Sequence, residues 1–254
     1  IVRYSAFGKT HVGKVRDHNE DSYYVSENGG FFIVSDGMGG LSSGEVASQL
    51  TRDVISEFLG EPHDPSIPYE KVLRDAFTRA NHRVRRMLEE KPTSKGMGCT
   101  CVVLAFHDND FYIAYVGDSR IYLYRNNVLK QISRDHSYVE ELFLRGLITA
   151  EEKIDHPYKS SITRYIGLAD NVEVDITSGP VANNDVFILC SDGLTGEVND
   201  AVIAEILKAN PEPGDCVEQL VQKALDNGGG DNISIIAVKV EKKKPGFFRK
   251  LFNW

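Results

Sequence analysis

Along the chain, apolar and polar positions alternate with two different periods. Runs that are apolar throughout, or at every second position, stand at Phe31 to Ser35, Thr100 to Phe106, Asp110 to Val116, Arg120 to Arg125, Val186 to Cys190 and Ile233 to Val240. They predict strands buried on one or both faces. Helical stripes fill the gap after the first of these. Gly44 to Leu59 aligns Val46, Ala47, Leu50, Val54, Ile55 and Phe58, and Tyr69 to Glu90 aligns Val72, Leu73, Ala76, Phe77, Ala80, Val84, Met87 and Leu88. The link HDPSIP at His63 to Pro68 carries two prolines, whose missing N–H and bulky ring stop a helix from continuing. A second pair of amphipathic helices is predicted at Asp200 to Ala209 and Asp215 to Asp226, just before the last strand.

Strand groups followed by helix pairs, with a hairpin-like connection RNNV at Arg125 to Val128, favour antiparallel sheets over parallel βαβ units. The expected fold class is α+β, sheet on sheet with helices outside. Ser133 to Asp170 departs from this plan: one short helix candidate, Tyr138 to Arg145, sits among polar and turn-forming residues, and such an excursion often borders a site.

Charge narrows the partners. The 254 residues carry a formal charge of -8, so nucleic acid is not an expected partner, because that binding draws on Lys and Arg neutralising phosphates. No apolar run reaches the roughly 18–20 residues of a bilayer span and no signal-peptide pattern opens the chain, which gives a cytoplasmic expectation. Nothing demands more than a monomer. Cys99, Cys101, Cys190 and Cys216 contain no C-x-x-C pair and read as small buried thiols, the first two on one face of a strand.

The candidate chemistry lies where the apolar runs stop. Asp36 ends FFIVSDGMGG, Asp118 ends FYIAYVGDSR, Asp192 ends VFILCSDG, and Asp231 stands in GGGDNISIIAV just before a strand. One Asp-Gly at a strand end is ordinarily a turn. Four beside fully apolar strands point further, because turn aspartates need no such strands to hold them. Carboxylates gathered at a sheet rim repel one another unless cations lie between them, and an Asp-rich set without His or Cys selects Mg²⁺ or Mn²⁺. Gly37 allows close backbone approach, with its carbonyl as a possible neutral ligand. A two-metal site of this kind suits phosphoryl chemistry. DGMGG fits neither dinucleotide nor P-loop glycine patterns.

Six segments occur in an order that resembles the metal-dependent serine/threonine protein phosphatases of type 2C, above all the compact bacterial members. They are VRDHNEDS at Val15 to Ser22, VSDGMGG at Val34 to Gly40, GMGCTCVV at Gly96 to Val103, VGDSRIYLYR at Val116 to Arg125, CSDGLTGEV at Cys190 to Val198 and GGGDNISIIAVKV at Gly228 to Val240. The resemblance implies a four-layer αββα fold, a central antiparallel β-sandwich flanked by helix pairs. It implies one catalytic domain over 1–240 with a flap at about 133–170. It also implies hydrolysis of phosphoserine and phosphothreonine in proteins by a water activated between two or three Mn²⁺ or Mg²⁺ ions, opposing a serine/threonine kinase. By similarity, Asp36, Asp192 and Asp231 hold one metal, Asp36 and the Gly37 carbonyl a second that Asp21 reaches through water, and Asp118 with Asp192 a weaker third; Arg16 grips substrate phosphate. The alternative is a regulatory or phosphoprotein-binding member of the same fold, disfavoured because the metal-binding aspartates are all present.

Two features depart from the resemblance. Met38 and Leu41 stand where relatives often carry histidine, which leaves the proton donor unassigned; His136 in RDHS matches a family position but reads as a structural, hydrogen-bonding histidine. Thr163, Arg164 and Gly167 in TRYIG are expected to be structural. The tail 241–254, EKKKPGFFRKLFNW, mixes basic residues with four aromatics and reads as a solvated terminus or as a docking element for a membrane surface or a protein.

Overall fold

The computed structural model describes residues 2–39, 43–90 and 96–241. Its strands are β1 (Tyr4–His11), β2 (Ser22–Val25), β3 (Phe31–Ser35), β4 (Gly37–Met38), β5 (Gly98–Cys99), β6 (Cys101–His107), β7 (Asp110–Val116), β8 (Arg120–Arg125), β9 (Val128–Gln131), β10 (Asp175–Pro180), β11 (Val186–Cys190) and β12 (Ile233–Val240). The helices are α1 (Ser43–Gly60), α2 (Tyr69–Glu90), α3 (Tyr138–Leu144), α4 (Ala150–Ile154), α5 (Asp192–Thr195), α6 (Asp200–Ala209) and α7 (Pro213–Asp226).

Two five-stranded sheets, β1-β12-β11-β8-β9 and β10-β7-β6-β3-β2, stack face to face, and β4 pairs with β5 beside them. Alternation along each strand explains the stacking. Phe32, Val34, Val102, Leu104 and Ile113 of one sheet meet Ile121, Leu123, Phe187, Leu189, Ile236 and Val238 of the other in an inner core. The opposite faces carry Ile33, Cys101 and Val103 against Ile55, Leu73 and Phe77 of α1 and α2, and Tyr122, Ile188 and Ile235 against Ile203, Leu207, Val217 and Leu220 of α6 and α7. The four layers of the αββα sandwich follow from strands apolar on both faces. Phe187, fully buried and packed against Phe106 and Phe111 at ring separations of 5.8 and 5.2 Å, ties the inner layer together; truncation to Ala would cost about 3–5 kcal/mol.

The apolar pattern located β3, β7, β8, β11 and β12 as read, and β6 to within a residue. It did not announce β1, β9 and β10, which lie at sheet edges and keep polar or half-exposed positions throughout. Helix α7 begins two residues earlier than predicted, with Pro213 in its first turn, where a missing N–H costs nothing. Helix α4 in the flap starts at a capping box made by Thr149 and Glu152. The four cysteines are free and buried, with Cys99 and Cys101 on the face under α1 and α2. Among the described residues no helix is long and apolar enough to cross a membrane. Leu41 and residues 242–254 of the tail lie outside the described residues.

Candidate metal centre

Antiparallel pairing brings the suspected residues to one rim. β1 and β11 both run antiparallel to β12, so His11 and Cys190 end beside Ile233 and Ile235 at its start. β8 begins at the same end, with Arg120 opposite Cys190. In the other sheet β3 and β7 both run antiparallel to β6, and Ser22 at the start of β2 faces Ser35 at the end of β3. Asp36, Asp118, Asp192, Asp231 and Asp21 each flank one of these ends.

The electrostatics reflect the crowding. Burial holds the Asp36 carboxyl well above the usual range, reinforced by Asp21, Asp192, Asp118 and Asp231. Burial pushes Asp21 up to about 7, against hydrogen bonds from Ser191 and Ser234. Asp118 rises to about 8 through burial and then Asp192 and Asp135. Asp192 is raised by burial and Asp231, opposed by a hydrogen bond shared with Asp36 and by Arg16 and Arg120. Among the described residues these groups are not closed into a three-ligand cluster; they face one another as like charges.

The donor set fits a hard divalent cation. It is all oxygen, its members perturb one another, and Oδ1 of the buried Asp21 has no hydrogen-bond partner. Gly37 donates its N–H to the Glu20 carbonyl at 3.2 Å and pairs with Cys99. A Cβ at this position would overlap the Gly44 and Glu20 carbonyls, so only glycine lets the chain pass.

Arg16 reaches the rim from the loop between β1 and β2. Its Nη2 donates to Asp231 Oδ2 at 2.8 Å, and about half of its side chain remains exposed (54%). One guanidinium nitrogen is thus engaged while much of the side chain is open to solvent.

Polar residues that the sequence reading passed over hold this arrangement. Thr100 Oγ1 accepts from the Asp36 N–H at 3.1 Å and lies 2.6 Å from Ser119 Oγ, linking the two segments that carry Asp36 and Asp118. Ser191 Oγ donates to Asp21 Oδ2 at 2.7 Å and accepts the Ser234 N–H at 3.0 Å. Asn232 accepts from the Glu20 N–H at 2.8 Å and donates to the Val12 and His18 carbonyls at 2.8 and 2.9 Å. The only signal in the sequence for Ser119, Ser191 and Asn232 is their adjacency to the aspartates, and Thr100 lacks even that.

His136 is structural in its contacts. Nδ1 accepts the Gly117 N–H at 3.1 Å, Nε2 lies 3.3 Å from Asp175 Oδ2, and the ring stacks on Tyr115. Burial lowers its pKa. It pins the start of the flap to the residue before Asp118, beside the forked ion pair of Arg120 with Asp135. In TRYIG, Arg164 joins Asp175 at 3.2 Å and the Gly167 N–H donates to Asn81 at 2.8 Å. Met38 forms the short β4 ladder.

Comparison with known proteins identifies the family. The chain matches the Protein phosphatase 2C family model over residues 7–225. It is 36% identical over 243 residues to the serine/threonine phosphatase stp of Listeria monocytogenes, covering 94% of this chain and 96% of that protein. The crystal structure of the Mycobacterium tuberculosis serine/threonine phosphatase PstP/Ppp superposes with a TM-score of 0.88 at 33% identity, covering 95% of this chain and all of that one. The PstP catalytic domain in complex with two manganese ions superposes with a TM-score of 0.86 at 32% identity, covering 94% and 99%. With the family model matched across most of its length and relatives of this identity covered nearly end to end, the chain belongs to the protein phosphatase 2C family, the metal-dependent serine/threonine protein phosphatases.

Proposed function

We propose that this chain dephosphorylates phosphoserine and phosphothreonine in proteins with Asp36, Asp192 and Asp231 as ligands of one Mn²⁺ or Mg²⁺. In the same reading Asp36 and the Gly37 carbonyl hold a second, with Asp21 behind a water, and Asp118 with Asp192 offers a third place. The observation that carries it is the convergence of mutually perturbed, oxygen-only carboxylates with a half-exposed arginine paired to one of them. The manganese-bound PstP domain supports the choice of ion. Bound cations at such a site supply a nucleophilic water at neutral pH and offset charge on phosphoryl oxygens.

The chain's own groups do the rest. Arg16 meets the incoming phosphate with its free guanidinium donors, a planar, permanently charged fork suited to a phosphomonoester dianion. The buried rim keeps the carboxylates fixed so that little reorganisation accompanies reaction. Among the described residues no side chain is assigned as proton donor to the leaving alkoxide: His136 is buried, its Nδ1 accepts the Gly117 N–H, and its Nε2 lies 3.3 Å from Asp175 without a hydrogen-bond partner.

The reading extends to residues 1–240 as one catalytic domain with the flap at about 133–170 beside the rim. A cognate serine/threonine kinase supplies the phosphoprotein substrates, in the cytoplasm. A monomer suffices, because every proposed ligand comes from one chain. The basic aromatic tail 241–254 serves as a docking element on a membrane surface or a protein. The deciding experiment is hydrolysis of a phosphothreonine peptide with added Mn²⁺: turnover should require the metal and vanish in chelator. Activity that persists in chelator would sink the assignment, and Mn²⁺-loaded protein without turnover on phosphopeptides would favour a binding role.

A further inference from the structure

The geometry points to Asn232 as the positioning residue for Arg16, an inference that rests on Arg16 as the phosphate grip. Arg16 sits on the loop from Val12 to Glu20, a stretch outside any helix or strand. Its side chain is half exposed and, among the described residues, its ion-pair partner is Asp231. The loop is instead tied down at both ends by a buried amide, alongside the bond from Asn19 Nδ2 to Thr10 Oγ1 at 2.8 Å. Asn232, 5% exposed, donates both Nδ2 hydrogens, to the Val12 and His18 carbonyls, and accepts the Glu20 N–H on Oδ1. These three bonds span the loop on either side of Arg16.

The surrounding contacts reinforce this role. The Lys14 N–H donates to the Gly229 carbonyl at 2.7 Å, and a Cβ at Gly13 would overlap the Asp231 carbonyl, so the loop lies directly on the segment that carries Asp231. The backbone N–H of Asn232 also donates to Asp231 Oδ1 at 2.8 Å. Asn232 therefore registers the arginine loop to the carboxylate that Arg16 touches, and only an amide offers two donors and an acceptor in that geometry.

The test is a double-mutant cycle on the Mn²⁺-loaded enzyme with a phosphothreonine peptide, using Asn232→Ala, Arg16→Ala and both together. Arg16→Ala should raise KM by about 10-fold or more, the loss of one hydrogen bond to a charged group. Asn232→Ala should raise KM by a similar factor with a smaller change in kcat, and the double variant should be no worse than Arg16→Ala alone. Independent, multiplicative effects on KM overturn the inference, as does a folded Asn232→Ala with lowered Tm but unchanged KM, or one whose only loss is in kcat and Mn²⁺ affinity. An unchanged KM in Arg16→Ala alone shows that the phosphate-grip reading has failed and takes this inference with it. If Asn232→Ala does not fold, Asn232→Ser, which keeps one hydroxyl for the loop, carries the same cycle with a smaller shift in KM.

Discussion

Asp118 offers the sharpest test of the rim's electrostatics. Burial, with Asp192 and Asp135 adding to it, pushes its carboxyl from the ordinary 3.8 to about 8. A folded pKa above the unfolded one means that the native state binds the proton more tightly. The associated stability is therefore complete below pH 3.8 and is lost as pH rises through about 8. Inside that window one pH unit is worth about 1.4 kcal/mol for a single group. Taking metal-free protein from about pH 6 to about pH 8 should cost roughly 2 kcal/mol through Asp118 alone, an upper figure because the residue is only partly buried. For a chain of this size that corresponds to roughly 4–8 °C in Tm. Asp118→Asn keeps the shape and cannot ionise. Calorimetry in chelator should show the drop between the two pH values shrinking by about this amount in the variant, which should also be the more stable protein at the higher pH. An identical drop in both proteins would refute the claim that Asp118 is held protonated by its surroundings.

Other perturbations separate the site from the scaffold. Asp192→Asn should lower kcat by ~10³-fold or more without unfolding the protein, measured by single-turnover hydrolysis and circular dichroism, because it removes a carboxylate proposed to serve two cations. Arg125 donates through Nε and Nη2 to the fully buried Asp185 at 2.7 and 2.6 Å, at the end of the sandwich away from the rim. Arg125→Ala should therefore cost about 3 kcal/mol in urea unfolding, by stranding a buried charge, with kcat/KM unchanged under folding conditions. His136→Ala should lower stability by about 1–3 kcal/mol through the abandoned Gly117 N–H while kcat stays within about 10-fold of the parent. A far larger fall in kcat with binding retained would make His136 the proton donor after all.

The parts of this molecule legible in its sequence are those where burial is two-sided or where a carboxylate interrupts it. β3, β11 and β12 are mostly apolar and buried along nearly their whole length because both faces are covered, and Asp36, Asp192 and Asp231 stand out against them. β1 and β10 were illegible for the opposite reason: YSAFGKTH and DITSGP have no apolar face to announce them and are held by pairing with β12 and β7. The support of the site was hidden by distance along the chain. Asn232 bonds to Val12, His18 and Glu20, and Ser191 to Asp21, across most of the sequence, and a polar residue whose partners are remote backbone groups looks locally like any turn residue. His136 could be read as structural from its setting; the Gly117 and Asp175 contacts that make it so needed the fold.

Asp36 and Asp192 belong to opposite sheets, one following β3 and the other following β11, yet the charge of Asp192 helps to raise the Asp36 carboxyl. Their separation is therefore governed by the layer between the sheets, where Phe32 and Val34 of β3 meet Phe187 and Leu189 of β11. Close-packed side chains do not compress or spread to suit a surface charge. A loop-borne pair of aspartates would relieve its repulsion by moving apart at small cost. Here each residue is anchored by a strand buried on both faces, so burial first and neighbouring carboxylates second keep their carboxyl pKa values raised, and the cost is relieved by proton uptake or by a cation. The two helix-covered sheets supply the stability that this crowding subtracts. The apolar strands that make the fold recognisable are thus also what holds together the carboxylates proposed to bind divalent ions.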